Sequence, residues 1–232
     1  GYRAIDTAAI YQNEEAVGEA IKASGIAREE LFITTKVWNA DQGYDNTLKA
    51  FEVSLKKLGL DYVDLYLTHW PKPQLVDTYK AIERLYEEKL IRVPGVSNHH
   101  EHHLQQIFAE ANVLPMVNQI ECHPSLSQDA LRAFCAEHNI AVTAWAPLGT
   151  GIVFTHPVVK QLAEKYSKTP AQIVLRWHLE IGNIVIPKSI TPERIVENLA
   201  IFDFTLQADE VAAISALNTF HRTGSDPDNF NF

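Results

Sequence analysis

The sequence predicts an α/β fold on a parallel sheet: a (β/α)8 TIM-type barrel lacking its first βα unit. Three observations lead there. Short apolar runs alternate with longer segments of helical period along the whole chain, which implies parallel strands joined by crossover helices. Seven such runs fit into 232 residues, a length that a single barrel domain can have. No G-x-G-x-x-G follows any run, which weakens the competing architecture, an open doubly wound sheet.

The elements follow in order. Tyr2–Asp6 reads as a strand and Asn13–Ser24 as a helix. Leu31–Thr35 is the second strand. The helix Tyr44–Leu58 after it sets Leu48, Phe51, Leu55 and Leu58 at spacings of three and four, which makes one apolar face. Strand Tyr62–Thr68, helix Val76–Glu87, strand Ile91–Ser97 and helix His102–Ala111 come next. Strand Pro115–Ile120, helix Gln128–Glu137 and strand Ala141–Ala146 continue the alternation. Helices Pro157–Tyr166 and Ala171–Leu179 precede the last strand, Asn183–Pro187, and helices Pro192–Ile201 and Ala208–Leu217 follow it. No linker or low-complexity stretch divides the chain. Residues 1–232 are therefore read as one domain, with 218–232 as a turn-rich C-terminal loop.

Composition bounds the function. The chain is 46% hydrophobic and 21% charged, which is ordinary for a globular protein. A net charge of −9 and a pI near 5.5 argue against a nucleic-acid or acidic-membrane surface, though not against a local basic pocket. Cys122 and Cys135 show neither a disulfide framework nor metal spacing, which fits a reducing cytoplasm. No signal peptide and no apolar stretch of transmembrane length is seen.

In a parallel barrel the catalytic groups gather at the C-terminal ends of the strands. Asp6 ends the first run, Lys36 the second, His69 the third and Ser97-Asn98 the fourth. Gln119 and Trp145 stand near the ends of the fifth and sixth, and Lys188-Ser189 closes the seventh. Singly, a strand-end lysine snorkels to water, a tyrosine near a helix start packs, and a histidine before Trp-Pro is structural. Together they suggest chemistry. An ammonium about 4 Å from a phenol, at an effective dielectric of about 20, favours tyrosinate by about 4 kcal/mol, or roughly three pKa units. Lys36 beside Tyr11 would thus poise the phenol near neutrality as a proton donor. Asp6 would hold Lys36 charged, and His69 could hydrogen-bond a substrate carbonyl.

A second cluster is PKSITPERIVENL, Pro187–Leu199. Thr191 reads as an N-cap with Pro192 at the first helical position. Arg194, Glu197 and Asn198 share a helix face, and Lys188 and Ser189 precede it. A cation, a hydroxyl, a helix N-terminus and an arginine suit a phosphate, and an ordinary capped helix with surface charges is the plain alternative. HHEHH, His99–His103, suggests a metal, but no cysteine or carboxylate cluster completes four ligands, so a solvated helix start is expected. Glu14-Glu15 reads as solvated helix charge. The C-terminal Asp226, Asp228, Phe230 and Phe232 read equally as a lid on the substrate side or as plain tail.

These residues, in GYRAIDTAAIYQNEEAVG, LFITTKVW, VDLYLTHWP, GVSNH, VNQIECHP, AWAPLG and IPKSITPERIVENL, resemble the aldo-keto reductases. The likeness runs from Gly1 to about Phe204, and AWAPLG with the DPDNFNF ending is similar to the bacterial 2,5-diketo-D-gluconate reductase-like branch. The resemblance implies reduction of an aldehyde or ketone by NADPH, as a monomer binding neither nucleic acid nor membrane. It implies a catalytic tetrad of Asp6, Tyr11, Lys36 and His69, with Tyr11 the general acid. Asp6 also counts among the cofactor contacts, and Tyr11, Trp38, His69 and Trp70 would line the substrate pocket. Ser97, Asn98 and Gln119 would hold the carboxamide, Trp145 would stack on the nicotinamide, and Leu148 and Gly149 would lie along the pyrophosphate. Lys188, Ser189 and Arg194 would take the 2′-phosphate, and Glu197 and Asn198 the adenine. Keto acids of the 2,5-diketo-D-gluconate type, dicarbonyls and small aldehydes are the implied substrates. A non-catalytic relative that keeps cofactor binding is the alternative.

Three departures from the family pattern carry expectations of their own. The opening hairpin and first strand–helix unit are absent from the chain as given. Pro94 lies inside a strand, where a missing ladder donor should disturb pairing near Ser97. The segment after Gly149, TGIVFTHPVV, is shorter than the family's usual cofactor-clasping loop.

Overall fold

The computed structural model describes all 232 residues. Its strands are β1 (Ala4–Asp6), β2 (Phe32–Val37), β3 (Val63–Thr68), β4 (Ile91–Ser97), β5 (Val117–Glu121), β6 (Ala141–Trp145) and β7 (Ile184–Val185). Its α-helices are α1 (Glu14–Ser24), α2 (Tyr44–Leu58), α3 (Leu75–Glu87), α4 (Glu101–Phe108), α5 (Asp129–Glu137), α6 (Pro157–Tyr166), α7 (Pro170–Glu180), α8 (Pro192–Leu199) and α9 (Ala208–Ser215). The seven strands run in sequential order, as the alternation predicts. The chain divides into two compact units, Gly1–Asn118 with Asn231–Phe232, and Gln119–Phe230.

In the first unit β1 to β4 pair in parallel, with Asp6 opposite Thr34, Lys36 opposite Leu67 and Thr68 opposite Val96. Strand alternation sends Ile33, Thr35 and Val37 to one face of β2 and Thr34 and Lys36 to the other. α2 covers the sheet with Thr47, Phe51, Ser54 and Leu58 buried, and Phe51 meets Tyr66 edge-on at 4.8 Å. The helix stops at Gly59, whose φ of 63° is left-handed and whose N–H reaches the Leu55 and Lys56 carbonyls. A Cβ at Gly18 of α1 would run into the Leu58 backbone, so this glycine is what lets α1 and α2 approach so closely. Ile21, Leu31 and Ile33 form the core beneath α1.

Pro94 does not disturb the pairing of β4 with β3 toward Ser97, contrary to expectation: the ladder runs on to Val96 opposite Thr68. The strand continues through it, Pro94 stands opposite Tyr66, and its carbonyl accepts from Met116 N at 2.9 Å. In a parallel ladder one residue's N–H and C=O address the same neighbour. The donor Pro94 lacks would therefore face Leu114, which lies ahead of β5 and outside any strand.

In the second unit β6 and β7 pair in parallel, Thr143 with Ile184 and Ala144 with Val185. β7 is shorter than the sequence suggests, because Ile186 and Pro187 already leave the sheet. α7 begins at a capping box that the sequence reading did not note: Thr169 Oγ1 accepts from Gln172 N, and Gln172 Oε1 accepts from Thr169 N. Trp177 is fully buried among Val159, Leu162, Ile173 and Ile214, and its indole N–H donates to Ser215 Oγ at 3.0 Å. The segment Gly149–Thr155 forms short 3-10 turns interrupted by a kink at Thr150 and Gly151, both left-handed.

Candidate active site

The first unit assembles the four strand-end residues. Asp6 closes β1, Lys36 sits in β2, and His69 follows β3 directly. Tyr11 ends a 3-10 turn, Ala9–Tyr11, between β1 and α1. Lys36 is 1% exposed at its side chain, which an ammonium tolerates only when paired. Its Nζ donates to Asp6 Oδ1 and to the Thr7 carbonyl at 2.9 Å. Burial lowers the Lys36 pKa, and Asp6 opposes that. The Lys36 Nζ lies 5.3 Å from the centre of the Tyr11 ring, and the His69 ring meets Tyr11 edge-on at 5.8 Å.

Tyr11 differs from expectation in one respect. Its pKa is pushed up to about 12, first by the protein packed around it and then by the Asp6 charge. The lysine does not bring it near neutrality, because that ammonium is already engaged by Asp6 and Thr7. The side chain is half exposed, so the hydroxyl is fully protonated and within reach of a small molecule. His69 is pushed down to about 3 by burial, then by the Lys36 charge. Its imidazole is neutral at pH 7, and its buried Nδ1 has no partner within the protein. It offers a hydrogen bond rather than a proton. Trp38 packs edge-on against His69 at 5.3 Å.

The C-terminal Phe232 belongs to this same unit. Its ring stacks on Trp38 at 5.9 Å and meets Trp70 edge-on at 5.2 Å. Asn39 Nδ2 donates to its carbonyl at 3.1 Å. The tail residue is thus part of the aromatic wall that the sequence assigns to Trp38 and Trp70. Ser97 and Asn98 are both buried after β4. Asn98 takes a left-handed φ of 64°, which asparagine tolerates, and its amide donates to the His69 carbonyl at 3.0 Å.

Two expected surface features of this unit are not surface features. Glu14 is 2% exposed and accepts from Thr35 Oγ1 at 2.6 Å, whereas Glu15 is exposed. His99 is fully buried and donates from Nδ1 to the Ser97 carbonyl at 2.9 Å. Of the four histidines in the HHEHH run only His102 is exposed, with its ring against that of His103 at 3.9 Å, and His103 Nδ1 accepts from His100 N at the start of α4.

The second unit holds the phosphate candidates. Lys188, Ser189, Arg194, Glu197 and Asn198 line one cavity of about 410 Å³ with Leu148 and Thr169. Thr191 flanks α8, but its side chain makes no cap; instead its N–H donates to Ser189 Oγ at 3.1 Å. Glu197 accepts from Thr169 Oγ1 at 2.5 Å, which ties α8 to the start of α7. Gly149 is not a wall of this cavity. It takes a φ of 50°, and a Cβ there would meet the His123 ring at 2.8 Å. Gln119 is buried in β5, and Trp145, at the end of β6, is part-exposed with Gly224 packed on its ring. That contact is held by Glu121, an anchor the motifs did not single out. Its buried carboxylate accepts from Thr223 N and Oγ1, both at 2.6 Å, and from Gly224 N at 3.2 Å.

Burial sets a pH dependence. His69, His99 and His178 are each pushed down to about 3, chiefly by burial. His178 donates to the Pro147 carbonyl and accepts from Asn183, which fixes it neutral. Unfolded histidines take up protons below about 6.5; the folded ones do not until about pH 3. The stability they lend is therefore complete above pH 6.5 and is lost as pH falls through that window. Three such protons give a slope of about 4 kcal/mol per pH unit near its middle. Urea midpoints at pH 7.5 and pH 5 should show the loss; equal midpoints would contradict neutral burial.

Residues 1–219 match the model of the aldo/keto reductase family. The chain is 54% identical over 233 residues to glyoxal reductase of Bacillus subtilis, covering 100% of this chain and 84% of that protein. It is 54% identical over 235 residues to methylglyoxal reductase DkgA of Yersinia pestis, covering 99% of this chain and 84% of that one. A crystal structure of a Gox0644 variant in complex with NADPH superposes with a TM-score of 0.95 at 46% identity, over 100% of this chain and 86% of that one.

Proposed function

Because the chain belongs to the aldo/keto reductase family, we propose that it reduces small aldehydes and dicarbonyls to alcohols with NADPH. The observation that carries this reading is the meeting of Asp6, Lys36, Tyr11 and His69 in one unit. Relatives named as glyoxal and methylglyoxal reductases support the substrate class. Keto acids of the 2,5-diketo-D-gluconate type stand beside them as the finer alternative. No helix is long and apolar enough to cross a membrane. Both cysteines are free, as thiols stay in a reducing compartment, and the proposed setting is the cytoplasm.

The cavity chemistry fits the cofactor. Lys188 and Arg194 bring two cations, Ser189 a hydroxyl and α8 a helix N-terminus to one cavity, a donor set suited to a phosphate monoester. Lys188, Ser189 and Arg194 would hold the 2′-phosphate. Glu197 and Asn198 would face the adenine and Leu148 the pyrophosphate, with Trp145 against the nicotinamide ring. In the first unit Ser97 and Asn98 would hold the carboxamide. Bound NADPH supplies a hydride.

The residues of the chain do the rest. Tyr11 Oη donates its proton to the oxygen of the substrate carbonyl as negative charge develops there. Lys36, held charged by Asp6, stabilises the tyrosinate left behind. Neutral His69 aims the carbonyl by a hydrogen bond, and Trp38, Trp70 and Phe232 exclude water around it. A carbonyl panel with NADPH and NADH in parallel tests this. Turnover of glyoxal and methylglyoxal with NADPH is expected, and consumption of neither coenzyme with any carbonyl would refute it. Removing one charged phosphate contact, Arg194→Ala, should raise the KM for NADPH about tenfold while leaving that for NADH unchanged. Equal effects on both coenzymes would move the 2′-phosphate elsewhere.

A further inference from the structure

We propose that Glu14 and Thr35 are positioning residues, a clamp that holds the Tyr11 proton donor against the strand carrying Lys36. The proposal rests on the catalytic reading of Tyr11 and Lys36. Residues 7–13 form a short connection between β1 and α1, and Tyr11 ends its 3-10 turn. The residue after it, Gln12, takes a left-handed φ of 54°, a conformation that side chains other than glycine and asparagine avoid. Something must hold so strained a turn in place.

Two adjacent residues of β2 do so, one from each face of the strand. Lys36 Nζ donates to the Thr7 carbonyl at 2.9 Å on one face. Thr35 Oγ1 donates to Glu14 Oε1 at 2.6 Å on the other. The two ends of the loop are also tied to each other, because Thr7 Oγ1 donates to Asn13 Oδ1 at 2.6 Å. Thr35 and Glu14 are both buried, and Thr35 points away from Lys36 by strand alternation. Neither can touch a substrate, so they act through the backbone that bears Tyr11. Stability alone does not account for Glu14. Its second oxygen, Oε2, is buried without a partner, as is the hydroxyl of Tyr66, which stands opposite Thr35 in register. An apolar side chain would fill that space at lower cost. What the carboxylate adds is a fixed position for the start of α1 against β2.

The test replaces the donor without changing its shape. Thr35→Val should lower kcat for a dicarbonyl about tenfold or more, since a displacement of about 1 Å can cost on the order of a hundredfold. The KM for the carbonyl and the affinity for NADPH, read by fluorescence, should be unchanged. The deuterium isotope effect on kcat with 4-deuterated NADPH should rise. Thr35→Ser should restore kcat, and Glu14→Gln, which keeps an acceptor, should stay within about threefold. Glu14→Leu with Thr35→Val should be no worse than the worse single change, as for two parts of one contact. Amide exchange gives a readout independent of turnover: protection at Tyr11 and Gln12 should fall about tenfold or more in Thr35→Val, with β3 unaffected. A Thr35→Val enzyme that melts earlier yet keeps kcat and the Tyr11 protection would overturn the clamp. A parent enzyme inactive on every carbonyl would instead overturn the catalytic reading, and the exchange result would still decide whether the loop is clamped.

Discussion

Tyr11→Phe is expected to lower kcat for carbonyl reduction by about 10²–10⁴, the range that one general acid contributes. The change should be nearly silent elsewhere. The side chain is half exposed, so thermal stability and NADPH affinity should match the parent protein. Single-turnover measurement with saturating NADPH isolates the effect, and a kcat within tenfold of the parent would assign the proton to another group. The raised pKa of Tyr11, about 12, adds a pH signature. A donor with that pKa stays protonated throughout pH 6 to 9, so reduction should show no alkaline fall in that range. A fall centred near pH 7 would restore the poised, near-neutral phenol that the sequence suggests.

The second large effect lies beneath the tyrosine. Asp6→Asn leaves the Lys36 ammonium buried with the Thr7 carbonyl but without its counter-charge, and breaking such a pair costs about 3–5 kcal/mol. Lys36→Met should cost less, because Asp6 is the more open partner, 13% exposed against 1%. Denaturant titration of both variants should give that order, and the reverse order would mean that the carboxylate is the dependent partner. Both should lose turnover. The Asp6→Asn loss should also depend on pH. Burial already lowers the Lys36 pKa and Asp6 opposes the shift, so removing Asp6 lowers it further. Between that lowered value and about 10.4 the unfolded chain holds the extra proton, so the variant gains stability as pH rises. Its deficit against the parent should shrink toward pH 9.

Strand ends were legible because period and burial agree there. In VDLYLTH the one charged residue before His69 is Asp64, which is fully buried and ion-paired to Arg28 and Arg92, so the run reads as a strand with His69 at its end. The α2 stripe was legible for the same reason. Glu14 was not: a carboxylate in the first turn of a helix looks solvated, and its partner Thr35 arrives from 21 residues away. Pro94 misled because the sequence shows a missing donor but not which neighbour it would face. The Tyr11 pKa misled because a pairwise distance says nothing of prior claims on the lysine. Phe232 reads equally as lid or tail in the sequence because only folding brings it onto Trp38 and Trp70.

If Trp38 and Trp70 line the substrate pocket as proposed, the Phe232 contact would couple the order of its segment to ligand choice. Its ring occupies aromatic surface that a bulky substrate would also need, and a hydrogen bond from Asn39 together with the two ring contacts holds it there. Tail and ligand are then competitors for one surface. A large carbonyl compound would meet a site diluted by the fraction of molecules whose tail is docked, whereas a two- or three-carbon dicarbonyl would bind beneath it undiluted. Discrimination by size would come from the docking equilibrium of the Phe232 segment, and temperature or mild denaturant would broaden the substrate range before it unfolded the barrel.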